Sequence, residues 1–273
     1  MRKRIVTGAV GLIVFGFVFM FWDTWVINVC ISAIVAICIY ELSKATGCIK
    51  NIPLFVVSEI FVIIMTYFYD MDRGISRMVL IFFVFALFAI LLANHRNIGI
   101  GQVGMMFLFC VMIPYFLSPI MYLRDTQFGQ FLVYLPFVAA WTTDTGAYFI
   151  GIKFGKHKLA PEVSPKKTIE GAFGGILGSV IGCSIYALVV MNSFRVQGVI
   201  WGNLILLAVI LSIVDQFGDL SFSKIKREFE TKDYGNFMPG HGGALDRFDG
   251  VIFVAPACFL LLKLIDIFIG AGI

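Results

Sequence analysis

The stretch VIWGNLILLAVILSIVDQFGDL, Val199 to Leu220, decides the fold: it is apolar over a membrane's width until Asp215 and Asp219 interrupt it. A helix needs about 20 residues to cross the hydrocarbon, and carboxylates inside such a span are costly and as a rule functional or paired. The run passes directly into SFSKIKREFETKDYGNFMPGHGGALDRFDG, residues 221–250, which is basic, glycine-rich and closed by Asp246 and Asp249. If the helix continues beyond Leu220, then at about 100° per residue Asp215, Lys226, Asp219, Glu230, Ser223 and Arg227 share one stripe about 120° wide. Ile213, Val214, Phe217 and Leu220 fall elsewhere. One helix therefore presents carboxylates at membrane depth and cations just above them.

Working outward, 60% of the 273 residues are hydrophobic and 14% charged, against roughly a quarter charged in a soluble domain. Nine apolar runs of about spanning length can be marked: 5–22, 25–44, 53–69, 78–93, 104–122, 130–150, 171–191, 199–220 and 250–271, the third and fourth short. The chain reads as an all-α polytopic membrane protein of about nine transmembrane helices. Arg2, Lys3 and Arg4 precede the first run, but no small-x-small cleavage site follows it, so a retained helix is expected. With the N-terminus in the cytoplasm, 16 of the 21 Lys and Arg fall in inside segments, 4 outside and 1, Lys263, within the last run. That asymmetry orients the chain, with the C-terminus on the opposite side. The net charge of +4 is a one-sided basic face, suited to anionic lipid or nucleotide and not to nucleic acid.

The two halves differ. Residues 1–130 are nearly pure membrane helix, expected to supply scaffold, an oligomer interface or a wall along which lipid reaches the site. Residues 131–273 carry two long polar cytoplasmic loops, 151–170 and 221–249, where the chemistry is expected. The six cysteines have no paired spacing and read as small buried apolar residues. Gly174, Gly178 and Gly182 recur every four residues, which reads first as a helix-packing face. Lys263 and Asp266 read as a structural ion pair. Glu41 and Glu59 lie in or near the membrane and are candidates for supporting the site's ligands from behind, a role the residues alone do not decide.

Within the polar segments, Gly240-His241-Gly242-Gly243 lets backbone N–H groups approach phosphate oxygens. Asp246 and Asp249, three apart at a helix start, offer oxygen to a hard cation, and with a single nearby His they favour Mg²⁺ over zinc. The other loop places Lys156, Lys158, Lys166 and Lys167 before the helix beginning near Gly171, a setting for a triphosphate or for diffuse headgroup binding.

These residues resemble the phosphatidate cytidylyltransferases. The resemblance rests on Ser223-x-Ile225-Lys226-Arg227, Lys232-Asp233-x-Gly235, Pro239-x-His241-Gly242-Gly243 and Asp246-Arg247-Phe248-Asp249. Asp144-Thr145-Gly146-Ala147-Tyr148 and Ser164-Pro165-Lys166-Lys167-Thr168 add to it upstream. Met238 and Ala244 depart mildly, both at apolar packing positions. The match covers about 140–250, the N-terminal half agreeing only in hydropathy.

The resemblance implies transfer of CMP from CTP to phosphatidic acid with Mg²⁺ required, at the cytoplasmic face of a bacterial-type plasma membrane. On that basis Asp219 and Asp246 are expected to hold Mg²⁺, with Asp249 and Asp215 beside them and Asp144 binding a second cation or orienting a lysine. Lys166, Lys167, Lys226, Arg227 and Arg247 are expected on phosphates, with Ser223, His241, Gly242 and Gly243 hydrogen-bonding there. Expected partners are CTP, phosphatidic acid, membrane lipids and a second copy of the chain. The alternatives are a CTP-dependent lipid-alcohol kinase, which would transfer the γ-phosphate, and an ion-coupled transporter, which would spread its carboxylates through the membrane.

Overall fold

The structure, a computed structural model, describes residues 16, 21, 24–194, 196–236 and 242–269. These residues are predominantly helical and divide into two compact units. One comprises Met1–Ser118 with Phe229–Arg247, the other Pro119–Glu228 with Phe248–Ile273. Among the described residues, five helices are long and apolar enough to cross a membrane: Trp25–Ala45, Arg73–Ala93, Ile100–Arg124, Ile169–Asn192 and Trp201–Glu228. The first apolar run lies almost wholly outside the described residues.

In the first unit, α1 (Trp25–Ala45) packs on α2 (Ile52–Tyr67) and α4 (Ile100–Leu117), and α2 also carries α3 (Arg73–Ala93). The starts of α1, α2 and α3 are each capped by a side-chain oxygen that takes an otherwise unpaired N–H. Thr24 accepts from Val26, Asn51 from Leu54, and Asp72 from Gly74 and Ile75. Ile27, Ile31, Val35, Cys38 and Leu42 repeat at helical spacing down the buried face of α1. Phe61 stacks on Phe83 with ring centroids 3.9 Å apart, one of only three buried positions on α3. Phe82, Phe85 and Leu92 of α3 point outward, as suits a helix facing lipid. All six cysteines are free thiols, five of them buried.

The second unit begins with the short helices α5 (Pro119–Arg124) and α6 (Gly129–Leu132). There follow α7 (Leu135–Phe154), α8 (Ile169–Phe194) and α9 (Trp201–Glu228), with part of α10 (Leu245–Leu262). The most extensive helix contact is α7 on α8. There the glycine face read from the sequence lies directly on α7. A Cβ at Gly178 would meet the Thr142 carbonyl, and one at Gly182 the Thr142 side chain. Small residues at such a seam let two backbones gain dispersion contact where no hydrophobic force drives helices together. Ser179 Oγ donates to the Ala208 carbonyl at 3.0 Å, tying α8 to α9.

Three details differ from the sequence reading. The 151–170 segment is not a plain loop: β1 (Lys158–Ala160) and β2 (Ser164–Thr168) form a two-stranded antiparallel hairpin, the one sheet in the described part of an otherwise helical protein. The last helix is Leu245–Leu262 and not 250–271; beyond it the Ile200 N–H donates to the Ile267 carbonyl at 2.8 Å and Val199 bridges Phe268. Because the helix has ended, Lys263 and Asp266 lose their helical spacing and no ion pair joins them. Lys263 Nζ instead lies 4.3 Å from the Phe259 ring centroid, and the Asp266 carbonyl accepts from Asn203.

Candidate functional site

Helix α9 runs unbroken from Trp201 to Glu228, so the polar stripe is realised from Asp215 to Arg227. Glu230 falls off it, because the helix has ended and Glu230 takes a left-handed conformation with φ 53°. Most of the stripe is buried: Asp215 is 1% exposed, Ser223 7% and Lys226 9%, while Asp219 is partly exposed and Arg227 exposed. Ile213 and Phe217, at 53% and 61%, face outward. Such an arrangement, apolar out and charged in, is expected where the surroundings are lipid and the interior holds the chemistry.

Within the second unit several charged groups converge on this stripe. The Lys167 ammonium forms an ion pair with Asp219, and Ser223 Oγ donates to Asp219 Oδ1 at 3.2 Å. Asp144, Asp249, Asp219 and Lys167 all lie within electrostatic reach of Asp215. Lys226 and Asp219 are near enough to Asp249 to act on it in opposite senses. Asp249 Oδ1 accepts the Gly250 N–H at 2.9 Å, and both residues are buried. Asp215 Oδ2 is buried with no hydrogen-bond partner among the described residues. Gly250 is glycine for a steric reason, since a Cβ there would land on Asp215 Oδ1. So the Asp249-Gly250 step supplies a carboxylate and makes room for another. Asp215, Asp249 and Lys226 are buried, Asp219 and Lys167 are partly exposed and Asp144 is exposed, so four carboxyl groups face two ammonium groups where the site opens, a setting that a further cation would suit.

The hairpin delivers Lys167. Alternate strand residues point to opposite sides, so Lys167 turns toward α9 while Lys166 is exposed. The hairpin is tied down at three points. Glu170 accepts from the Lys156 N–H at 3.0 Å and from His157 Nδ1 at 2.6 Å. Thr168 Oγ1 accepts the Gly171 N–H at 3.1 Å where α8 begins. Arg227 Nε donates to the Val163 carbonyl at 3.1 Å, so Arg227 is engaged with the hairpin turn. Glu170 has no role in the sequence reading; its position three residues after Lys167, opposite His157, is the only signal it offers.

In the first unit the signature segment is organised by two carboxylates. Asp246 Oδ2 accepts the N–H groups of Tyr234 and Gly243, each at 2.9 Å. The Gly243 N–H is thereby spent inside the loop. Gly242 adopts φ +87°, a conformation that favours glycine. Glu41 of α1, 3% exposed, accepts the Leu245 N–H at 2.9 Å. Arg247 is exposed. His241 lies outside the described residues, as do 237–240. Among the described residues, no three Asp, Glu, His or Cys side chains converge as a ready-made metal cage.

Comparison with known proteins gives these residues their setting. The chain is 32% identical over 275 aligned residues, 97% of its own length and 98% of the relative's, to a Bacillus subtilis protein named phosphatidate cytidylyltransferase. Proteins of the same name from Thermotoga maritima and Staphylococcus epidermidis are 40% and 46% identical, over 51% and 56% of this chain and 52% and 58% of theirs. A family model described as "Cytidylyltransferase family" matches residues 2–265, so the similarity reaches well beyond the 140–250 segment into the N-terminal helices. With both the buried acidic stripe and the signature loop inside that match, the chain belongs to the cytidylyltransferase family.

Proposed function

We propose that this protein transfers CMP from CTP to phosphatidic acid, releasing pyrophosphate and forming CDP-diacylglycerol. The observation that carries the proposal is the buried stripe of α9, with Lys167 on Asp219 and Lys226 beside Asp249. It combines cations for phosphate with carboxylates for a metal at the end of a membrane-length helix. The Bacillus subtilis protein it resembles over 97% of its length carries the name of this reaction.

In this reaction a phosphate oxygen of the lipid forms a bond to the α-phosphorus of CTP. The bond from that phosphorus to the β-phosphate bridging oxygen breaks, and pyrophosphate leaves with the electron pair. Both reactants are polyanions, so catalysis consists of positioning and of neutralising charge, with no covalent protein intermediate. Lys167 and Lys226 neutralise phosphate oxygens, and Ser223 donates a hydrogen bond once Asp219 is otherwise engaged. Arg227 steadies the hairpin that carries Lys166 and Lys167. The buried Asp215 and Asp249 stand close to the lysines and help to aim them.

The donor set fits Mg²⁺: it is all oxygen, and Asp215 Oδ2 is buried without a hydrogen-bond partner among the described residues. Mg²⁺ is commonly held by one or two carboxylates together with substrate phosphates and water. Asp219 and Asp215 of the stripe, with Asp249 of α10, would hold it, and the resemblance adds Asp246 and Asp144. When bound, Mg²⁺ supplies charge neutralisation to the triphosphate.

The remaining elements of the reading follow from the charge pattern. Nine spans with the N-terminus inside put the stripe's polar end on the cytoplasmic side of a bacterial plasma membrane, where CTP is available. A second copy of the chain is proposed as its partner.

The test uses purified protein in detergent with CTP, phosphatidic acid and Mg²⁺. Cytidine label should enter the lipid and γ-phosphate label should leave as pyrophosphate. Label from the γ-phosphate in lipid would instead establish a lipid kinase, and no CDP-lipid from folded protein would sink the proposal.

A further inference from the structure

The carboxylate of Glu41 is buried, and it meets the signature segment at three places. It accepts the N–H of Leu245, the first residue of α10, from a position 204 residues earlier in the chain. A Cβ at Gly235 would land on its side chain, and so would a Cβ at Gly243. Two glycines of the signature thus leave room for one acidic side chain of α1. The pairing is physically apt, because the first N–H groups of a helix have no partner within it and attract negative charge. Immediately after Leu245 comes Asp246, whose Oδ2 gathers the Tyr234 and Gly243 N–H groups. Glu41 and Asp246 therefore both act on the described ends of the same loop, at Tyr234–Gly235 and at Gly243–Leu245.

We propose that Glu41 is a positioning residue: its buried carboxylate holds Gly235 and Gly243 against the first turn of α10 and so fixes where the Asp246 carboxylate stands. The role gives α1 a part in the chemistry as well as in the scaffold. Its consequence for turnover rests on the CMP-transfer reading above, but the clamp does not. Misplacing a reacting group by about 1 Å can cost roughly 100-fold in rate, so loss of the clamp should register in kcat more than in overall stability.

The experiment compares wild type, Glu41→Gln and Glu41→Ala, purified in detergent, by amide exchange, by Mn²⁺ binding followed by EPR, and by CMP transfer. Glu41→Ala should speed exchange across 234–246 by about tenfold or more while leaving 135–154 unchanged. It should also weaken Mn²⁺ binding and lower kcat by roughly 100-fold. Glu41→Gln keeps an acceptor oxygen and the shape, and should restore all three readouts to within about threefold of wild type. Unchanged exchange at 234–246 in Glu41→Ala overturns the proposal; so does faster exchange with Mn²⁺ binding and kcat kept. If Glu41→Ala does not fold, Glu41→Asp, which withdraws the carboxylate by one methylene, takes its place. If wild type transfers no CMP, the reaction reading fails, and the exchange comparison still decides the clamp.

Discussion

Lys167 of the β-hairpin is ion-paired with Asp219 of α9, so the segment that carries the basic motif is latched onto the acidic stripe. Both side chains are 26% exposed, which puts the pair at a partly wet boundary and not in a sealed interior. A pair so placed contributes little to folding, typically about 1 kcal/mol or less. Its value is in holding a phosphate-binding ammonium ready beside a carboxylate that a metal would claim.

Lys167→Met should therefore separate function from stability. CMP transfer should fall by roughly 100-fold, as when one transition-state donor is lost, while the melting temperature in detergent moves only slightly. Equal losses of both would assign Lys167 to structure.

Asp215→Asn should leave the protein as stable as wild type or more so. Asp215 is buried among Asp144, Asp219 and Asp249, and neutralising it removes like-charge repulsion without emptying space. Activity should nonetheless drop. Thermal unfolding measured beside turnover decides the matter, and a variant that unfolds earlier would contradict the repulsion argument.

Gly250→Ala should be destabilising by about 1–3 kcal/mol, as for other overpacked interiors. The added Cβ has no place to go but the Asp215 carboxylate. A chemical-denaturation midpoint equal to wild type would show that Asp215 moves aside without penalty.

Glu170→Gln should loosen the hairpin. The carboxylate takes charge-assisted bonds from the Lys156 and His157 end of the segment, and an amide holds them less strongly. Amide exchange across 156–168 should accelerate and the KM for CTP should rise, with kcat less affected. A fall in kcat at unchanged KM would place Glu170 elsewhere in the cycle.

Chelation of divalent ions should abolish CMP transfer, and Mg²⁺ should restore it. Oxygen ligands and a phosphate-completed site favour Mg²⁺ over softer ions. Full turnover in EDTA would remove the metal from the mechanism.

Much of this was legible along the chain. The apolar runs announce membrane helices, because no other segment satisfies its backbone in lipid. The period of 3.6 residues groups Asp215, Asp219, Ser223 and Lys226 before any coordinates are seen, and the structure buries that face. The glycines of α8 likewise declare a close helix contact. Each of these readings needs only residues a few positions apart on one element.

Other features depend on residues distant in sequence, and one sequence does not say which residues meet. Nothing local pairs Lys158 with Thr168 in a hairpin, sends Arg227 to the Val163 carbonyl, or has Glu170 gather the 156–157 turn. Glu41 is the plainest case: a lone carboxylate near a helix end finds its meaning only at Leu245, Gly235 and Gly243. Local periodicity and composition set which helices form and which faces are polar, because those depend on neighbours in the chain. Where a buried carboxylate such as Glu41 or Asp249 finds its donor was settled by folding, because burial takes its water away and only packing decides which N–H comes near.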